Sequence, residues 1–350
     1  MTPELLERAA NTIKGLSMDA VQRANSGHPG MPMGMADLAV VLWSEFLTVN
    51  PDRPEWPDRD RFVVSNGHGS MLLYSLLHLA GFPISLEDIK DFRQWGSHTA
   101  GHPERDTSRG IEMTTGPLGQ GFGTGVGLAI AEAHLRERLG SDLVDHRTWG
   151  FVSDGDLMEG ISYESASLAG HLGLGKLTYV YDDNNISIDG STDLTFTEDV
   201  AKRFDAAGWH TQSIDGHNHA EISAAFHAAI NVEDRPSLIL ARTHIGHGSP
   251  NKQDTAGAHG SPLGDAEIKL VKEAMGWPVD ETFTVPEDVV AGFSQAMNRG
   301  RDASVAWDGR LAAAAVETRT LWEAMYDPAP LEILSPDFGE KIATRSATGK

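Results

Sequence analysis

Short apolar runs of strand length alternate with stretches of helical periodicity through the middle of the chain, and this alternation limits the fold more tightly than any other feature. The runs at Arg61–Ser65, 148–152, Leu177–Tyr181, 209–214 and 237–242 each end in a polar or glycine-bearing turn, as strands do. Helical patterns at 159–172 and 198–207 separate them. Parallel strands need crossover connections of about a dozen residues or more, usually helical, so the pattern predicts an α/β fold, a parallel sheet covered by helices on both faces.

Around this centre, residues 4–24 read as an amphipathic helix, with Leu5, Leu6, Ala9, Ile13, Leu16, Ala20 and Val21 near helical spacing. The stretch NSGHPGMPMG breaks it, and further helices are expected at Met35–Leu47 and Met71–Ala80. Arg93–Gly127 reads as loop, followed by a small-residue helix at Leu128–Leu139. Glycines 119, 121, 123, 125 and 127 complete no GxGxxG register and follow no strand, so they indicate close helix packing instead of a dinucleotide site. The long insert ARTHIGHGSPNKQDTAGAHGSPLG has the length of a functional loop. Helical patterns continue beyond Asp265 to about Tyr326, which gives one domain over 1–326, and DPAPLEILSPDFG within 327–350 resembles a linker.

The chain has 350 residues, and 28 Lys and Arg against 50 Asp and Glu leave a formal charge of -22. That field repels nucleic acid and acidic lipid surfaces, so neither is an expected partner. The absence of cysteine excludes disulfides, a thiol nucleophile and Cys-ligated zinc. The opening MTPELLERAANTIKGL lacks the apolar core of a signal peptide and no apolar run has membrane-spanning length, so a cytoplasmic location is expected.

Two polar clusters end adjacent strands. SDGDLMEG, Ser153–Gly160, is a strand-to-helix turn of the kind that suits a phosphate, yet it carries Asp154, Asp156 and Glu159. DDNNISIDG, Asp182–Gly190, closes the next strand and places Asn184 30 residues after Asp154. A right-handed crossover puts both strand ends on one sheet edge. A carboxylate, an amide oxygen and a loop carbonyl are hard donors suited to magnesium or calcium, and such a cation can in turn hold phosphate.

This acidic turn with its asparagine partner is similar to the thiamine diphosphate signature, with Ser153 standing where glycine is usual. Together with NSGHPG at 25–30, SNGHGS at 65–70, GHPE at 101–104, TTGPLGQG at 114–121 and AHGSPLGDAEI at 258–268, it resembles transketolase over nearly the whole chain.

The resemblance implies the thiamine-diphosphate-binding PP domain, with Mg2+ (or Ca2+) held by Asp154, Asn184 and the carbonyl of Ile186. It implies that Gly155 lets the diphosphate approach, that His68 contacts it, and that Gly116, Pro117, Leu118 and Ile186 border the cofactor. His28, His102 and His259 would face the sugar, with His259 also near the cofactor, and Glu159 would relay protons near a subunit interface. Arg345 matches an arginine that binds substrate phosphate. The implied reaction moves a two-carbon ketol unit between sugar phosphates such as xylulose 5-phosphate and ribose 5-phosphate, as in the pentose phosphate pathway. The glutamate that activates the aminopyrimidine ring has no match here, so a truncated transketolase, or the N-terminal subunit of a split one, is expected. Its partners would be a C-terminal subunit with the pyrimidine-binding and C-terminal domains, and a second copy of itself.

A deoxyxylulose-phosphate synthase, a dehydrogenase component, a magnesium-dependent phosphohydrolase and a non-catalytic cofactor-binding module are the competing readings. His98, His217, His219, His244 and His247 are read as structural, since HxxxH and HxH pairs without an acidic third ligand are weak zinc signals.

Overall fold

The five apolar runs form five parallel strands in a computed structural model that describes residues 1–326. They are β1 (Arg61–Val64), β2 (Thr148–Ser153), β3 (Leu177–Asp183), β6 (His210–Asp215) and β7 (Ser237–Arg242), in the order β1-β2-β3-β7-β6. A small antiparallel hairpin of β4 (Ile186–Ser187) and β5 (Gly190–Ser191) follows β3. The register sets Val64 beside Phe151, Ser153 beside Asp182 and Asp182 beside Ala241. Four strands therefore finish along one edge, and the residues that follow them crowd together.

The helices are α1 (Pro3–Ala24), α2 (Gly30–Val41), α3 (Ser70–Ala80), α4 (Leu86–Lys90), α5 (Gln120–Leu139), α6 (Asp154–Met158) and α7 (Gly160–Leu172). After these come α8 (Val200–Ala206), α9 (His219–Asn231), α10 (Asp265–Ala274), α11 (Glu287–Ala296), α12 (Asn298–Ala313) and α13 (Val316–Tyr326). Side chains alternate across each strand, so each sheet face has its own core. Phe62, Phe151, Val180 and Ile239 pack with α1, α2, α3, α9 and α11. Tyr179, Tyr181, Leu238 and Leu240 pack instead with α5, α7 and α8. This is the expected sheet covered on both faces.

Helix α1 starts where Thr2 caps the amide of Leu5 and Pro3 occupies the first turn, and it ends at Asn25, which takes the left-handed conformation at φ 49. Helix α2 is buried along its whole length. The sequence GMPMGMADLAVV, apolar on every face but for Asp37, suits that central place.

Two helix starts differ from the sequence expectation. Helix α2 begins at Gly30, not Met35, because Pro32 falls in the first turn, where a missing amide hydrogen costs nothing. Helix α5 begins at Gln120, not Leu128, so much of the presumed glycine loop is helical. A Cβ on Gly121 would lie 2.4 Å from Ser65 Cα, and one on Gly125 would lie 2.0 Å from Tyr179 Oη. The glycines let this helix press directly on β1 and β3, and that contact outweighs their poor helix propensity.

Arg345 and the linker lie outside the described residues. Among the described residues, no helix is long and apolar enough to cross a membrane.

Candidate functional site

A cavity of about 330 Å³ opens at the carboxyl edge of the sheet. His68 reaches it from the turn after β1, Asp154 and Gly155 from the start of α6 after β2, and Asn184 and Ile186 from the turn after β3. His259 comes from the insert after β7, His28 from the loop before α2, and Gly116, Leu118 and His102 from the loop region before α5. Residues more than 200 positions apart in sequence thus share one wall. Pro117 sits between Gly116 and Leu118 and is exposed, as is Glu159, which ends α6 on the outer surface.

The acidic corner of the cavity is held tightly. Asp154 is only 4% exposed and accepts a hydrogen bond from the Tyr181 hydroxyl. Burial pushes its carboxyl up to about 6 despite that bond, and the nearby Asp183 charge adds to the rise. Asp182 is buried beside it, accepts from the hydroxyl of Thr243 and from Asn184 Nδ2, and is pushed up to about 7, chiefly by burial. Asn184 Oδ1 accepts from the Ile186 amide at 2.9 Å, which folds the turn so that both residues border the same space. Carboxyl groups crowded out of water resist ionising together, and a bound cation relieves that cost.

The opposite wall is histidine. The His28 ring centroid lies 5.2 Å from His68, 5.6 Å from His259 and 6.2 Å from His102, and His68 stacks on His259 at 5.0 Å. Burial lowers all four, with His28 brought down to about 4 by burial together with His259, Arg93 and His102. The rings are therefore neutral at ordinary pH and can exchange protons with a ligand.

The cavity has the chemistry of an incomplete contact surface. His28 Nδ1, His259 Nδ1, Thr115 Oγ1 and both polar side-chain atoms of Asn66 are buried without a hydrogen-bond partner in the protein. Buried polar atoms are normally satisfied, so such a group beside a cavity marks a ligand position. A Cβ on Gly155 would fall 2.8 Å from Leu118 Cδ1, so the backbone here approaches its neighbour more closely than a side chain permits. Hard oxygen donors at one end, unpaired polar atoms and an apolar flank of Leu118, Ile186 and Ile188 fit a phosphorylated, partly apolar cofactor with its cation.

Sequence reasoning overlooked several participants. Met31, Ile188 and Ile245 line the cavity, Asp156 braces the loops around it, and Asn66, two residues from His68, keeps both polar side-chain atoms unpaired. Asn66 lies inside the quoted SNGHGS, and its position immediately after a strand was the available signal. The histidines read as structural have an acidic neighbour that no local spacing disclosed: His217, His219 and His247 lie around Asp37, supplied by α2, and His244 stacks on His217.

The fold and site define an α/β domain with its ligand cavity at the carboxyl edge of a parallel sheet, the usual place for a phosphorylated cofactor in such folds. Residues 6–326 match the family described as transketolase, thiamine diphosphate binding domain, and the chain belongs to that family. It is 55% identical to transketolase 1 of Escherichia coli over 308 residues, covering 87% of this chain and 46% of the relative. With transketolase of Geobacillus stearothermophilus it shares 48% over 363 residues, covering 100% of this chain and 54% of the relative. Among solved structures, transketolase from Campylobacter jejuni superposes with a TM-score of 0.90 at 44% identity, covering 97% of this chain and 52% of that one. A Pichia stipitis transketolase in complex with sedoheptulose 7-phosphate superposes at 0.86 with 43% identity, covering 92% and 47%. The chain spans about half the length of the relatives it matches.

Proposed function

We propose that this chain is the thiamine-diphosphate-binding part of a transketolase and that it carries the metal, diphosphate and sugar contacts for moving a two-carbon ketol unit from a ketose phosphate to an aldose phosphate. The observation that carries this reading is the convergence of Asp154, Asn184 and Ile186 with His28, His68, His102 and His259 around one cavity. Thiamine diphosphate, when bound, supplies the nucleophilic carbon that takes up the two-carbon unit.

The chain's own residues do the rest. Asp154, the Asn184 side-chain oxygen and the Ile186 carbonyl hold Mg2+ or Ca2+, while His68 and the backbone at Gly155 take the diphosphate. Gly116, Pro117, Leu118 and Ile186 form the cofactor border. His28, His102 and His259 hold the sugar hydroxyls; their neutral rings accept the proton that a hydroxyl must lose when the adjacent carbon-carbon bond breaks. Arg345 takes the substrate phosphate.

No glutamate lines the cavity among the described residues, so the ring-activating carboxylate that the resemblance implies would come from outside them, and a complementary C-terminal subunit is the source proposed here. Self-association is supported by an apolar surface on α7 beside Glu159, where Ile161, Leu168 and Leu172 are each more than 40% exposed. The test combines the purified chain with a C-terminal transketolase subunit, thiamine diphosphate, Mg2+ and xylulose 5-phosphate plus ribose 5-phosphate. Ketol transfer by the pair and none by the chain alone is expected. Robust transfer by the chain alone would overturn the need for a partner, and carbon dioxide release from pyruvate would favour a decarboxylating synthase.

A further inference from the structure

Asp37, on the buried helix α2, is surrounded by nitrogen atoms from three other parts of the chain. Its Oδ2 lies 3.1 Å from His217 Nδ1, 3.8 Å from His247 Nδ1 and 3.4 Å from Lys14 Nζ, while its Oδ1 lies 2.8 Å from His219 Nε2. Lys14 Nζ is also 3.2 Å from His247 Nδ1. An ammonium has only hydrogens to donate, so His247 Nδ1 presents its lone pair to Lys14. Two ligand atoms, one carboxylate oxygen and one imidazole nitrogen, therefore already face a single cation. The Asp37, His217 and His247 ligand atoms all lie within 4.8 Å of one another. A tetrahedral ion with bonds of about 2.0–2.1 Å separates neighbouring ligand atoms by about 3.3 Å. The 3.1 Å from Asp37 Oδ2 to His217 Nδ1 is near that spacing, while the 3.8 Å to His247 Nδ1 must shorten and the His217 and His247 rings, now in contact at 3.7 Å, must part on binding.

We propose that Asp37 Oδ2, His247 Nδ1 and His217 Nδ1 form a second metal site, for a divalent transition metal of the zinc class, and that Lys14 is the internal cation this metal displaces. Imidazole nitrogens with one carboxylate suit zinc, cobalt or nickel, whereas magnesium prefers an all-oxygen shell. The site adjoins a cavity of about 790 Å³, which offers water for the fourth position and room for the Lys14 side chain to swing aside. His219 on Oδ1 supplies the outer contact that ligating carboxylates usually carry.

Coordination has a definite proton balance. His217 Nδ1 now donates to Asp37 and its Nε2 accepts the His244 amide at 3.2 Å. On binding, the ring proton passes from Nδ1 to Nε2 through solvent, the His244 amide contact opens, and the net proton count is unchanged. Lys14 keeps its charge and moves into water. The lysine-closed and metal-bound states are alternatives, and the metal would tie α2 to the turn before α9 and to the insert that carries His259.

The test uses the full chain, stripped with chelator and held in excess Mg2+ so that the hard-oxygen site is occupied. Cobalt(II) is titrated by its visible absorption, and zinc by competition with a chromogenic chelator. One equivalent should bind. His247→Gln and His217→Gln should each weaken binding at least about tenfold, and Lys14→Met should strengthen it at least about tenfold by removing a like charge. Asp154→Asn should leave cobalt binding unchanged. Absence of stoichiometric binding in both the wild-type and Lys14→Met proteins would overturn the proposal, as would binding that survives both histidine substitutions. Melting curves confirm that each variant is folded, and the partly exposed His247 decides the matter if Lys14→Met does not fold.

Discussion

Ser65 donates its hydroxyl to Asp156 Oδ1 at 2.7 Å, joining the end of β1 to the turn after β2 across 91 residues of sequence. The same oxygen accepts the Gly119 amide at 2.9 Å, and Asp156 Oδ2 accepts the amide and hydroxyl of Ser153. Ser65 Oγ in turn accepts the Phe122 amide at 2.9 Å. One buried carboxylate thus fixes three of the loops that wall the cofactor cavity. Asp156→Asn keeps one acceptor but turns an amide group towards the Ser153 donors. It should cost about 1–3 kcal/mol of stability, the usual result of leaving a buried donor unpaired. In the complete assembly, cofactor affinity should fall while the sugar KM holds. Denaturant melts and cofactor titration decide this, and unchanged values in both would remove Asp156 from the supporting frame.

Asp154→Asn should stabilise the metal-free protein while abolishing its response to magnesium. The folded carboxyl is raised to about 6 from an ordinary value near 3.8. The folded state therefore binds this proton more tightly than the unfolded chain does, and ionisation penalises folding as pH rises from about 4 to 6. The full penalty is about 3 kcal/mol above pH 6, and none remains below pH 4. The asparagine variant should melt higher than wild type at pH 7, with the gap closing towards pH 4. Mg2+ with thiamine diphosphate should raise the melting temperature of wild type alone. An equal cofactor-induced shift in the variant would refute the ligand role.

The parts of this site that the sequence disclosed are those in which chemistry is written locally. Asp154 and Asn184 each follow an apolar strand run at once, so strand alternation places them on one edge before any contact is known. The helical stretch from Gln120 to Gly127 was hidden because its glycines oppose helix formation, and only packing against Ser65 and Tyr179 shows why they are tolerated. The Asp37 cluster was hidden for a different reason. Its histidines lie 180 residues or more from the aspartate, and no local spacing rule spans such a distance.

The His28 ring should make the protein acid-sensitive with the opposite sign to Asp154. Its folded value is about 4 against an ordinary 6.5, so the unfolded chain binds this proton more readily. Stability is then unaffected above pH 6.5 and is lost as pH falls towards 4, by about 2–3 kcal/mol once its partial exposure is allowed for. His28→Asn should gain on wild type over that interval, measured as the difference in melting temperature at each pH. A difference that stays flat between pH 6.5 and 4 would show that the ring is not held neutral by its surroundings.

Gly155→Ala separates cofactor approach from fold stability. The added methyl would lie 2.8 Å from Leu118 Cδ1, the far end of a flexible side chain, so the fold can yield at small cost. Leu118 borders the cofactor cavity, however, and moves at the expense of that space. Overpacking of this sort typically costs about 1–3 kcal/mol, which here should appear as weaker thiamine diphosphate binding, about tenfold to a hundredfold, with the melting temperature of the cofactor-free protein nearly unchanged. Shortening the neighbour should then relieve the clash: Leu118→Ala in the Gly155→Ala background should recover part of the lost affinity, although Leu118→Ala alone weakens binding by removing apolar surface. Non-additivity of that sign, measured by cofactor titration of the four proteins in the complete assembly, is the outcome expected of two residues that compete for one space. Simple additivity would place the Gly155 effect elsewhere.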